Sequence, residues 1–310
     1  YKGIYGTVLA VDGVSVTIGD GEALGLAGES GCGKSTFAEL ITGTPSPGLY
    51  YQGGKVIVEG YDIWSLPPEV LRKEVKCKRL SYVPQAALNS LNPTKRIKEF
   101  VADMLRERTG QKISPDEARK MLVEHFSRLN LDEHVLDVYP HELSGGMKQR
   151  AIIAISTYAS PSLLIIDEPT SSLDVSSQRD MVKMLVDIQQ KGIVKSMLAV
   201  SHDLAMLRQL CDRIAIMYAG KFVEIGKMDD VVSKPLHPYT DLLLASLLPL
   251  EKWVKNRKLM SIPGRHPDLR YPPPGCRFHP RCPKRMEICT SKAPPLVEKE
   301  GRQIACWLYC

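Results

Sequence analysis

The sequence predicts an α/β fold built on a phosphate-binding loop, and three features indicate it. Residues 23–27 (ALGLA) are a short apolar run of the kind that forms a buried strand. Residues 28–36 (GESGCGKST), called the phosphate loop below, fit the pattern G-x-x-x-x-G-K-[ST], and residues 37–41 read as the first turns of a helix. Further apolar runs alternate with helical stretches along the chain, which is the order of a parallel sheet covered by helices.

Length and composition are those of a globular protein. The 310 residues suffice for two domains, and the 44% apolar and 25% charged residues are ordinary values. No apolar run reaches the ~18 residues of a membrane span, and no secretory signal precedes the first strand. We therefore expect a cytosolic protein that meets a membrane only through partners.

The net charge of +6 is unevenly distributed. Residues 252–310 carry 13 basic and 4 acidic side chains, a net of +9, which leaves −3 for the rest of the chain. A basic tail can bind nucleic acid, or it can be a solvated or partner-facing surface. We favour the second interpretation, because the excess lies outside the phosphate loop and its neighbourhood.

The phosphate loop has the residues that triphosphate binding requires. Its glycines allow backbone N–H groups to surround phosphate oxygens, and the following helix adds the positive end of its dipole. Lys34 would reach the β- and γ-phosphates, and the Ser35 hydroxyl would ligate Mg²⁺. A glycine turn that binds nothing is disfavoured by the flanking strand and helix.

Two short segments before and after the loop complete this half of the sheet. Residues 7–18 are rich in β-formers around Asp12-Gly13, which predicts a hairpin leading into the first sheet strand. Tyr5 lies just before it, where its ring could stack on a nucleotide base or simply be exposed. The run 80–83 predicts a strand, and Gln85 at its exit could face the phosphates.

The middle of the chain is predicted to be helical. Ser114 precedes Pro115 and two acids, which is a strong helix start, and the apolar stripe that follows at helical spacing is interpreted as core. Residues 143–150 (LSGGMKQR), called the signature segment below, place Ser144 and two glycines before another helix. This is a second potential phosphate cradle.

Two acids and a histidine follow buried strands. The apolar run 163–166 delivers Asp167 and Glu168 at its carboxyl end, where ligands collect in open α/β sheets. Asp167 would coordinate Mg²⁺ and Glu168 would be the general base for an attacking water; capping of the next helix explains one acid but not the pair. His202 follows the run 196–200 in the same way.

The composition of the sequence changes from Pro249 onward. Nine prolines fall between residues 263 and 295 and apolar periodicity fades, so we expect a small irregular domain that does not continue the sheet. Four of its cysteines are separated by 5, 6 and 16 residues, namely Cys276, Cys282, Cys289 and Cys306. Four thiolates suit an iron–sulfur cluster or structural zinc, although tight C-x₂₋₄-C pairs typical of zinc are missing. Cys310 would be a free thiol or an alternative fourth ligand.

Basic residues surround these four tail cysteines. A four-thiolate [4Fe–4S] site carries net negative charge, and we expect neighbouring cations to compensate it. The candidates are Arg277, Arg281, Lys284 and Arg285. Ligation would also supply folding energy to a segment with little core of its own.

Together these motifs, in this order, resemble the ATP-binding-cassette (ABC) family over about residues 5–245. The resemblance implies a RecA-like core with an antiparallel β subdomain and a helical subdomain at about 86–160, within a nucleotide-binding domain at 1–248. It implies catalytic roles for Glu168, His202 and Gln85, with Mg²⁺ held by Ser35, Gln85 and Asp167. The implied ATP contacts are Tyr5, Ser30, Gly31, Cys32, Gly33, Lys34, Ser35 and Thr36.

The family resemblance also implies a head-to-tail pair of cassettes with two ATP molecules at the interface. The partner's ATP would be bound by Ser144, Gly145, Gly146 and Gln149, with Asp174 in the loop between the two sites. A glycine-rich helix start that is not used within its own subunit fits this role, because closure of the pair excludes water from the site.

Several finer motifs are similar to those of dipeptide and oligopeptide permease subunits of the D type. They include Leu91-Asn92-Pro93, the segments 217–220 and 237–240, and the tail segment 275–283 (GCRFHPRCP). This resemblance implies a second, F-type ATPase subunit, two membrane permease subunits, an extracellular binding protein acting indirectly and no nucleic acid. It also implies a [4Fe–4S] cluster at Cys276, Cys282, Cys289 and Cys306 in residues 249–310, and a place on the cytoplasmic face of the membrane.

Three other functions are weighed against peptide import. Relatives of this type of permease carry oligosaccharides, and the motor sequence does not distinguish the two substrates. A soluble ABC ATPase of DNA repair or translation needs a long coiled-coil or nucleic-acid-binding insertion, and no heptad run is present. A non-hydrolysing regulatory cassette is disfavoured because Glu168 and His202 are both present.

Overall fold

The structure, a computed structural model, describes residues 1–3, 6–76, 78–85, 87–171, 173–247 and 262–310. The strands are β1 (Lys2–Gly3), β2 (Gly6–Thr7), β3 (Ala23–Ala27), β4 (Ile57–Val58), β5 (Tyr61–Asp62), β6 (Leu80–Val83), β7 (Leu163–Asp167), β8 (Ser196–Val200), β9 (Arg213–Tyr218), β10 (Lys221–Lys227), β11 (Val297–Lys299) and β12 (Arg302–Ile304). The helices are α1 (Lys34–Ile41), α2 (Pro68–Val70), α3 (Ile97–Thr109), α4 (Pro115–Arg128), α5 (Gly145–Thr157), α6 (Val175–Gln190), α7 (Leu204–Leu210), α8 (Met228–Ser233) and α9 (Pro238–Leu247).

One eight-stranded mixed sheet forms the centre of the molecule. Its strand order is β11-β12-β10-β9-β3-β8-β7-β6, and the five strands from β9 to β6 run parallel. The predicted strands at 80–83, 163–167 and 196–200 are confirmed. Because β3, β6, β7 and β8 are parallel, their carboxyl ends lie at one edge of the sheet and bring the segments that follow them together.

Side chains of the central strand alternate between two apolar layers. Leu24 and Leu26 pack with Ala38 and Ile41 of α1 on one face. Ala23 and Ala27 of the same strand belong to the larger layer formed with α3 to α7 on the other face. A strand buried on both faces explains why residues 23–27 are continuously apolar in sequence.

Helices α3, α4 and α5 follow one another in the segment between β6 and β7. Ser114 caps α4 as predicted: its hydroxyl accepts from the backbone N–H of Glu117, whose carboxylate accepts from the backbone N–H of Ser114. The predicted apolar stripe is buried at Leu122 and Phe126, whereas Met121 is exposed. The predicted stripe is therefore part of the core except at Met121.

The predicted hairpin at residues 7–18 is wrong. The strands that pair there are the short β1 and β2, and residues 8–22 contain no assigned strand. The turn residue Asp12 instead donates its backbone N–H to the carbonyl of Gly220, in the turn between β9 and β10. A distant backbone partner, which local pattern does not reveal, replaces the expected cross-strand partner.

The prediction that the tail does not continue the sheet is also wrong. Strand β12 pairs antiparallel with β10, and β11 pairs with β12 at the sheet edge. Fully buried Glu224 of β10 accepts from the backbone N–H groups of Leu236 and His237 and pairs with Arg302 of β12 at 3.3 Å. Strands of three residues are too short to show a period of two, which is why the sequence did not reveal them.

Candidate functional site

The phosphate loop connects the carboxyl end of β3 to the first residue of α1, as predicted. Gly33 caps the helix with φ of 109°, a conformation that side-chain-bearing residues rarely adopt. A Cβ atom there would lie 2.1 Å from the carbonyl oxygen of Ala10, so only glycine fits. The loop is thus held at close range by backbone from another part of the chain.

The side chain of Lys34, the first residue of α1, turns back into the phosphate loop. This side chain is buried, and its ammonium group donates to the carbonyl oxygens of Gly28 at 2.7 Å and Glu29 at 3.1 Å. These carbonyls hold the cation at the centre of the cradle, where phosphate oxygens would take their place as acceptors.

Asp167 and Ser35 offer oxygen ligands next to Lys34. Burial raises the pKa of Asp167, which is 1% exposed, and a hydrogen bond from the Ser35 hydroxyl opposes that shift. Within the described part of the chain, Oδ1 of Asp167 has no hydrogen-bond partner. A buried, unsatisfied carboxylate oxygen beside a hydroxyl fits Mg²⁺, a hard cation that prefers oxygen ligands.

Glu168 and His202, predicted separately, are in direct contact. Oε1 of Glu168 accepts from the backbone N–H of His202 at 3.0 Å, and Oε2 lies 2.8 Å from Nδ1 of the imidazole. Glu168 adopts φ of 50°, and its backbone N–H donates to the carbonyl of Val200 at the end of β8. This strained, doubly anchored conformation fixes a buried carboxylate at the edge of the sheet.

The remaining candidates of this edge differ in exposure. Gln85 is exposed just past the end of β6, on the side where β3, β7 and β8 also end. Cys32 is buried beneath Lys34, and burial raises the pKa of its thiol. Cys32 is therefore a packing residue of the loop and not a reactive thiol.

The signature segment is exposed at its start. The Ser144 hydroxyl caps α5 by accepting from the backbone N–H of Met147 at 3.2 Å, while Ser144 and Gly145 are exposed and Gln149 is buried. None of the hydrogen bonds described joins residues 144–146 to the chain's own phosphate loop. Asp174 caps the neighbouring α6, and the donors Ser176 and Ser177 lower the pKa of its carboxyl group.

Tyr5, the predicted base-stacking residue, lies outside the described residues. Tyr1, which the sequence analysis did not select, places its phenol oxygen 3.2 Å from the hydroxyl of Thr36 in the phosphate loop. It lines a small cavity together with Thr36, Leu40 and Tyr50. Two tyrosines four residues apart near the chain start gave no local signal for choosing between them.

Thiols of the tail approach one another in space. Burial, together with the neighbouring thiols of Cys276, Cys282 and Cys289, raises the pKa of Cys306 to about 11. Burial also raises the pKa of Cys276 and Cys282, and hydrogen bonds to sulfur from the backbone N–H groups of Phe278, Lys284 and Leu308 partly oppose the shifts of Cys276, Cys282 and Cys306. Over the described residues, however, no group of three or more His, Cys, Asp or Glu side chains is arranged to hold a metal ion. The predicted iron–sulfur site is not confirmed.

Two of the four cations assigned to charge compensation at these thiols are used elsewhere. The guanidinium of Arg277 bonds to Asp12 and to the carbonyl of Ala219, and that of Arg281 bonds to Glu29 of the phosphate loop. The prediction was wrong for both, because each side chain reaches a carboxylate more than 250 residues away along the chain. Sequence proximity to the cysteines did not reveal these partners.

In the part of the chain that the structure describes, no helix is both long enough and apolar enough to cross a membrane.

Family models and known proteins match almost the whole chain. A model described as "ABC transporter" matches residues 11–171, and one described as "Oligopeptide/dipeptide transporter, C-terminal region" matches residues 223–289. The dipeptide transport ATP-binding protein DppD of Caldanaerobacter subterraneus subsp. tengcongensis is 39% identical over 98% of this chain and 92% of its own length. The oligopeptide transport ATP-binding protein AppD of Bacillus subtilis is 39% identical over 97% and 91%.

Solved structures support the same assignment. The dimeric post-hydrolysis state of the ATP-binding cassette MJ0796, bound to ADP and Pi, has a TM-score of 0.60 and 26% identity, covering 71% of this chain and 90% of that one. The cbiO1 protein of Clostridium perfringens, part of the ABC transporter complex cbiONQ, has a TM-score of 0.59 and 26% identity, covering 73% and 84%. With the phosphate loop, the orphaned Asp167 oxygen and the Glu168–His202 contact in place, the chain belongs to the ABC family of ATPases, in the group of dipeptide and oligopeptide transport ATP-binding proteins.

Proposed function

We propose that this chain is the ATP-hydrolysing motor subunit of an importer for dipeptides or oligopeptides. The observation that carries the proposal is the contact of Glu168 with His202 beside the unsatisfied oxygen of Asp167, because it assembles a hydrolytic site and not merely a nucleotide-binding one. The family match of the tail to peptide transporters supports the substrate class.

In this proposal the chain's own residues divide the work on ATP. Lys34 and the N–H groups of the phosphate loop bind the phosphates, and Tyr1 or Tyr5 stacks on the base. Ser35, Asp167 and Gln85 would hold Mg²⁺, which supplies charge stabilisation at the β- and γ-phosphates. Glu168 accepts a proton from the attacking water, and His202 orients the Glu168 carboxylate and contacts the γ-phosphate.

The second half of each site would come from another subunit. Residues 144–146 with Gln149 would bind the γ-phosphate held by an F-type ATPase subunit, whose corresponding segment would cover the phosphate loop of this chain. The exposure of Ser144 and Gly145 supports this arrangement, because a capped helix N-terminus is left open to a ligand. Asp174 would lie between the two sites.

Two membrane permease subunits would dock beside Gln85. A cavity of about 440 Å³ next to that residue is lined by residues of β6, α1, α3 and α5, including Tyr82, Pro84 and Arg108. Movement of α3 to α5 on ATP binding would pass through this surface, on the cytoplasmic face of the membrane. An extracellular binding protein would act only through the permease subunits, and nucleic acid is not a partner.

We also propose a nucleotide-binding domain at 1–248, with its helical subdomain at about 86–160, and a cysteine-rich domain at 249–310 whose strands β11 and β12 extend the sheet of the first domain. The latter would hold a [4Fe–4S] cluster on Cys276, Cys282, Cys289 and Cys306, which would stabilise the fold of the tail. The four cysteines within residues 276–306, together with the thiols that neighbour Cys306, support a cluster, because four thiolates are the usual ligand set of a [4Fe–4S] centre.

Transport by the reconstituted complex tests the function. Proteoliposomes with both ATPase subunits, the permease subunits and the binding protein should hydrolyse ATP faster and accumulate labelled peptide when a mixture of dipeptides and oligopeptides is added. Stimulation by oligosaccharides and not by peptides would overturn the substrate class.

Metal content tests the cluster separately. Anaerobically purified protein should be brown, absorb broadly near ~400 nm and contain about four irons per chain. Colourless protein with stoichiometric zinc, or without metal, would exclude the cluster and leave the ATPase assignment untouched.

A further inference from the structure

The first variable residue of the phosphate loop, Glu29, is held by the distant carboxyl-terminal third of the chain. Its backbone N–H donates to the phenol oxygen of Tyr239 at 2.9 Å. Its carboxylate receives both terminal nitrogens of Arg281, at 2.8 and 3.0 Å, in a bidentate pair. His266 adds a third contact, with Nδ1 3.4 Å from the same carboxylate.

Arg281 is fixed in this position by further partners. Its Nε donates to the carbonyl of Pro263 at 2.7 Å, and a terminal nitrogen lies 3.4 Å from the phenol oxygen of Tyr218. The side chain is 5% exposed, and that of Glu29 is 15% exposed. A buried arginine with an acceptor for every nitrogen is a preorganised cation, and removing one partner of such a pair costs far more than removing one partner of a surface salt bridge.

The same two-residue segment is held from the inside by Lys34. The carbonyls of Gly28 and Glu29 accept from its ammonium group, as described above. When ATP binds, Lys34 must exchange these carbonyls for phosphate oxygens. The contacts from Tyr239 and Arg281 are then the ones that keep this stretch of loop in place.

Charge makes the arginine more than a structural contact. A cavity of about 400 Å³ is lined by Glu29 and Ser30 of the loop, by the catalytic His202, and by Arg281 and His266 of the tail. A glutamate carboxylate in the wall of a triphosphate site repels the ligand, and the repulsion is strong where water is excluded. The guanidinium of Arg281, bonded to both carboxylate oxygens of Glu29, neutralises that charge.

We propose that Arg281 is a positioning residue for ATP binding, acting by neutralising Glu29 so that the phosphate loop accepts the triphosphate. The tail thereby takes part in the nucleotide site, and this role does not depend on an iron–sulfur cluster. Among the described contacts of Arg281 none is to Glu168, so its loss is expected to affect ATP affinity and not the chemical step.

Calorimetric titration with ATP and Mg²⁺, in a Glu168→Gln background that prevents turnover, tests the inference on the full-length chain. Arg281→Gln is expected to weaken ATP binding roughly ten- to a hundredfold, because an unpaired carboxylate is left in the site. Adding Glu29→Gln should restore affinity to within about threefold of the starting protein, since no unpaired charge then remains. A double variant as weak as Arg281→Gln would overturn the neutralising role.

A matched control separates this effect from a general loss of charge in the tail. Arg270 also forms a bidentate pair, with Asp268, but that pair is exposed and makes no described contact with the loop. Arg270→Gln should change ATP affinity by less than about twofold. An equal loss in both variants would show that Arg281 has no particular role.

Kinetics and folding supply two further readouts. In the assembled transporter with Glu168 intact, Arg281→Gln should raise KM for ATP with kcat within about twofold, because only ligand binding is affected. Thermal unfolding shows whether Arg281→Gln is folded. If it is not, Glu29→Gln alone remains informative, because this variant should bind ATP at least as tightly as the starting protein. Weaker binding by that single variant would contradict the proposal.

Discussion

Two helices of this protein begin with glycine-rich turns suited to phosphate, and they differ in how much of the surrounding site their own chain supplies. The phosphate loop before α1 is closed in by Ala10, Glu29 is paired with Arg281, and Lys34 is buried. The start of α5 at Ser144 is exposed and bonds chiefly to its own first turn. The first is enclosed by contacts from its own chain, whereas the second is exposed, as the proposed binding of a partner's ATP requires.

The residues proposed to act in catalysis are likewise divided between the phosphate loop and the start of α5. Asp167, Glu168 and His202, the residues proposed to act on ATP, come together at the sheet edge beside the phosphate loop. Asp174 caps α6 beside the start of α5 and belongs to the outward surface. Under the proposed function, each ATP site is therefore complete only when a second cassette closes it.

The largest expected effect concerns the residues beside the phosphate loop. Glu168→Gln should lower ATP turnover of the assembled transporter by on the order of 10²–10⁴-fold, because the amide cannot accept a proton from water. The isolated chain should still bind ATP, since the phosphate loop is unchanged. Turnover close to that of the starting protein would show that Glu168 is not the base.

A change at the exposed start of α5 should also lower turnover while leaving ATP binding by the isolated chain intact. Ser144→Arg should lower turnover of the transporter by about 10²-fold by blocking one phosphate-binding jaw. Binding of ATP to the isolated chain, measured by calorimetry, should be unaffected because Ser144 makes no described contact with the phosphate loop. If homodimers of this chain alone hydrolysed ATP as fast as the full complex, a separate partner subunit would not be needed.

A smaller effect sharpens the geometry of the outward surface. A Cβ on Gly146 would lie 2.7 Å from the hydroxyl oxygen and 2.9 Å from Cβ of Ser177 on α6, whereas one on Gly145 would meet Leu173 at 3.9 Å. Gly146→Ala should therefore cost about 1–3 kcal/mol of unfolding free energy, and Gly145→Ala less than about 0.5 kcal/mol. Chemical denaturation of both variants checks this, and equal stability would contradict the close packing of α5 on α6.

The smallest effect separates binding from stability at Asp167. Burial raises its pKa in the folded state, so the ionised carboxylate destabilises the fold above that pKa, and the penalty fades as pH falls through it. Without Mg²⁺, Asp167→Asn should raise the thermal midpoint at neutral pH by ~2 °C, a gain that shrinks on acidification. With Mg²⁺ and ATP the order should reverse, because only the starting protein gains the cation. A variant less stable at neutral pH without Mg²⁺ would contradict the buried-charge interpretation.

Local pattern was sufficient wherever a functional residue directly follows a buried strand or begins a helix. The apolar runs before Asp167, Glu168 and His202 placed all three at one sheet edge, and the structure brings the last two into contact. Ser144 was correctly predicted to start α5. These residues are positioned by neighbours in sequence, which is what a single chain can reveal.

Partners far apart in sequence were not predictable in this way. The pairing of β12 with β10 depends on backbone hydrogen bonds of a three-residue strand within a proline-rich tail. The position of Tyr1 beside Thr36 depends on how an end of the chain returns to α1. Arg281 was assigned to the adjacent cysteines because its carboxylate partner, Glu29, gave no sign that it needed a cation.

The pairing of Glu29 with Arg281 joins residues 252 positions apart, and this fixes when during synthesis the nucleotide site can be completed. Protein chains emerge from the ribosome from the amino terminus, and the earlier parts of a fold assemble first. The phosphate loop and the strands around it are made long before Arg281, so a nascent or prematurely ended chain has an uncompensated Glu29. If Arg281 neutralises Glu29 as proposed, full ATP affinity is reached only after residue 281 has been translated, near the end of synthesis.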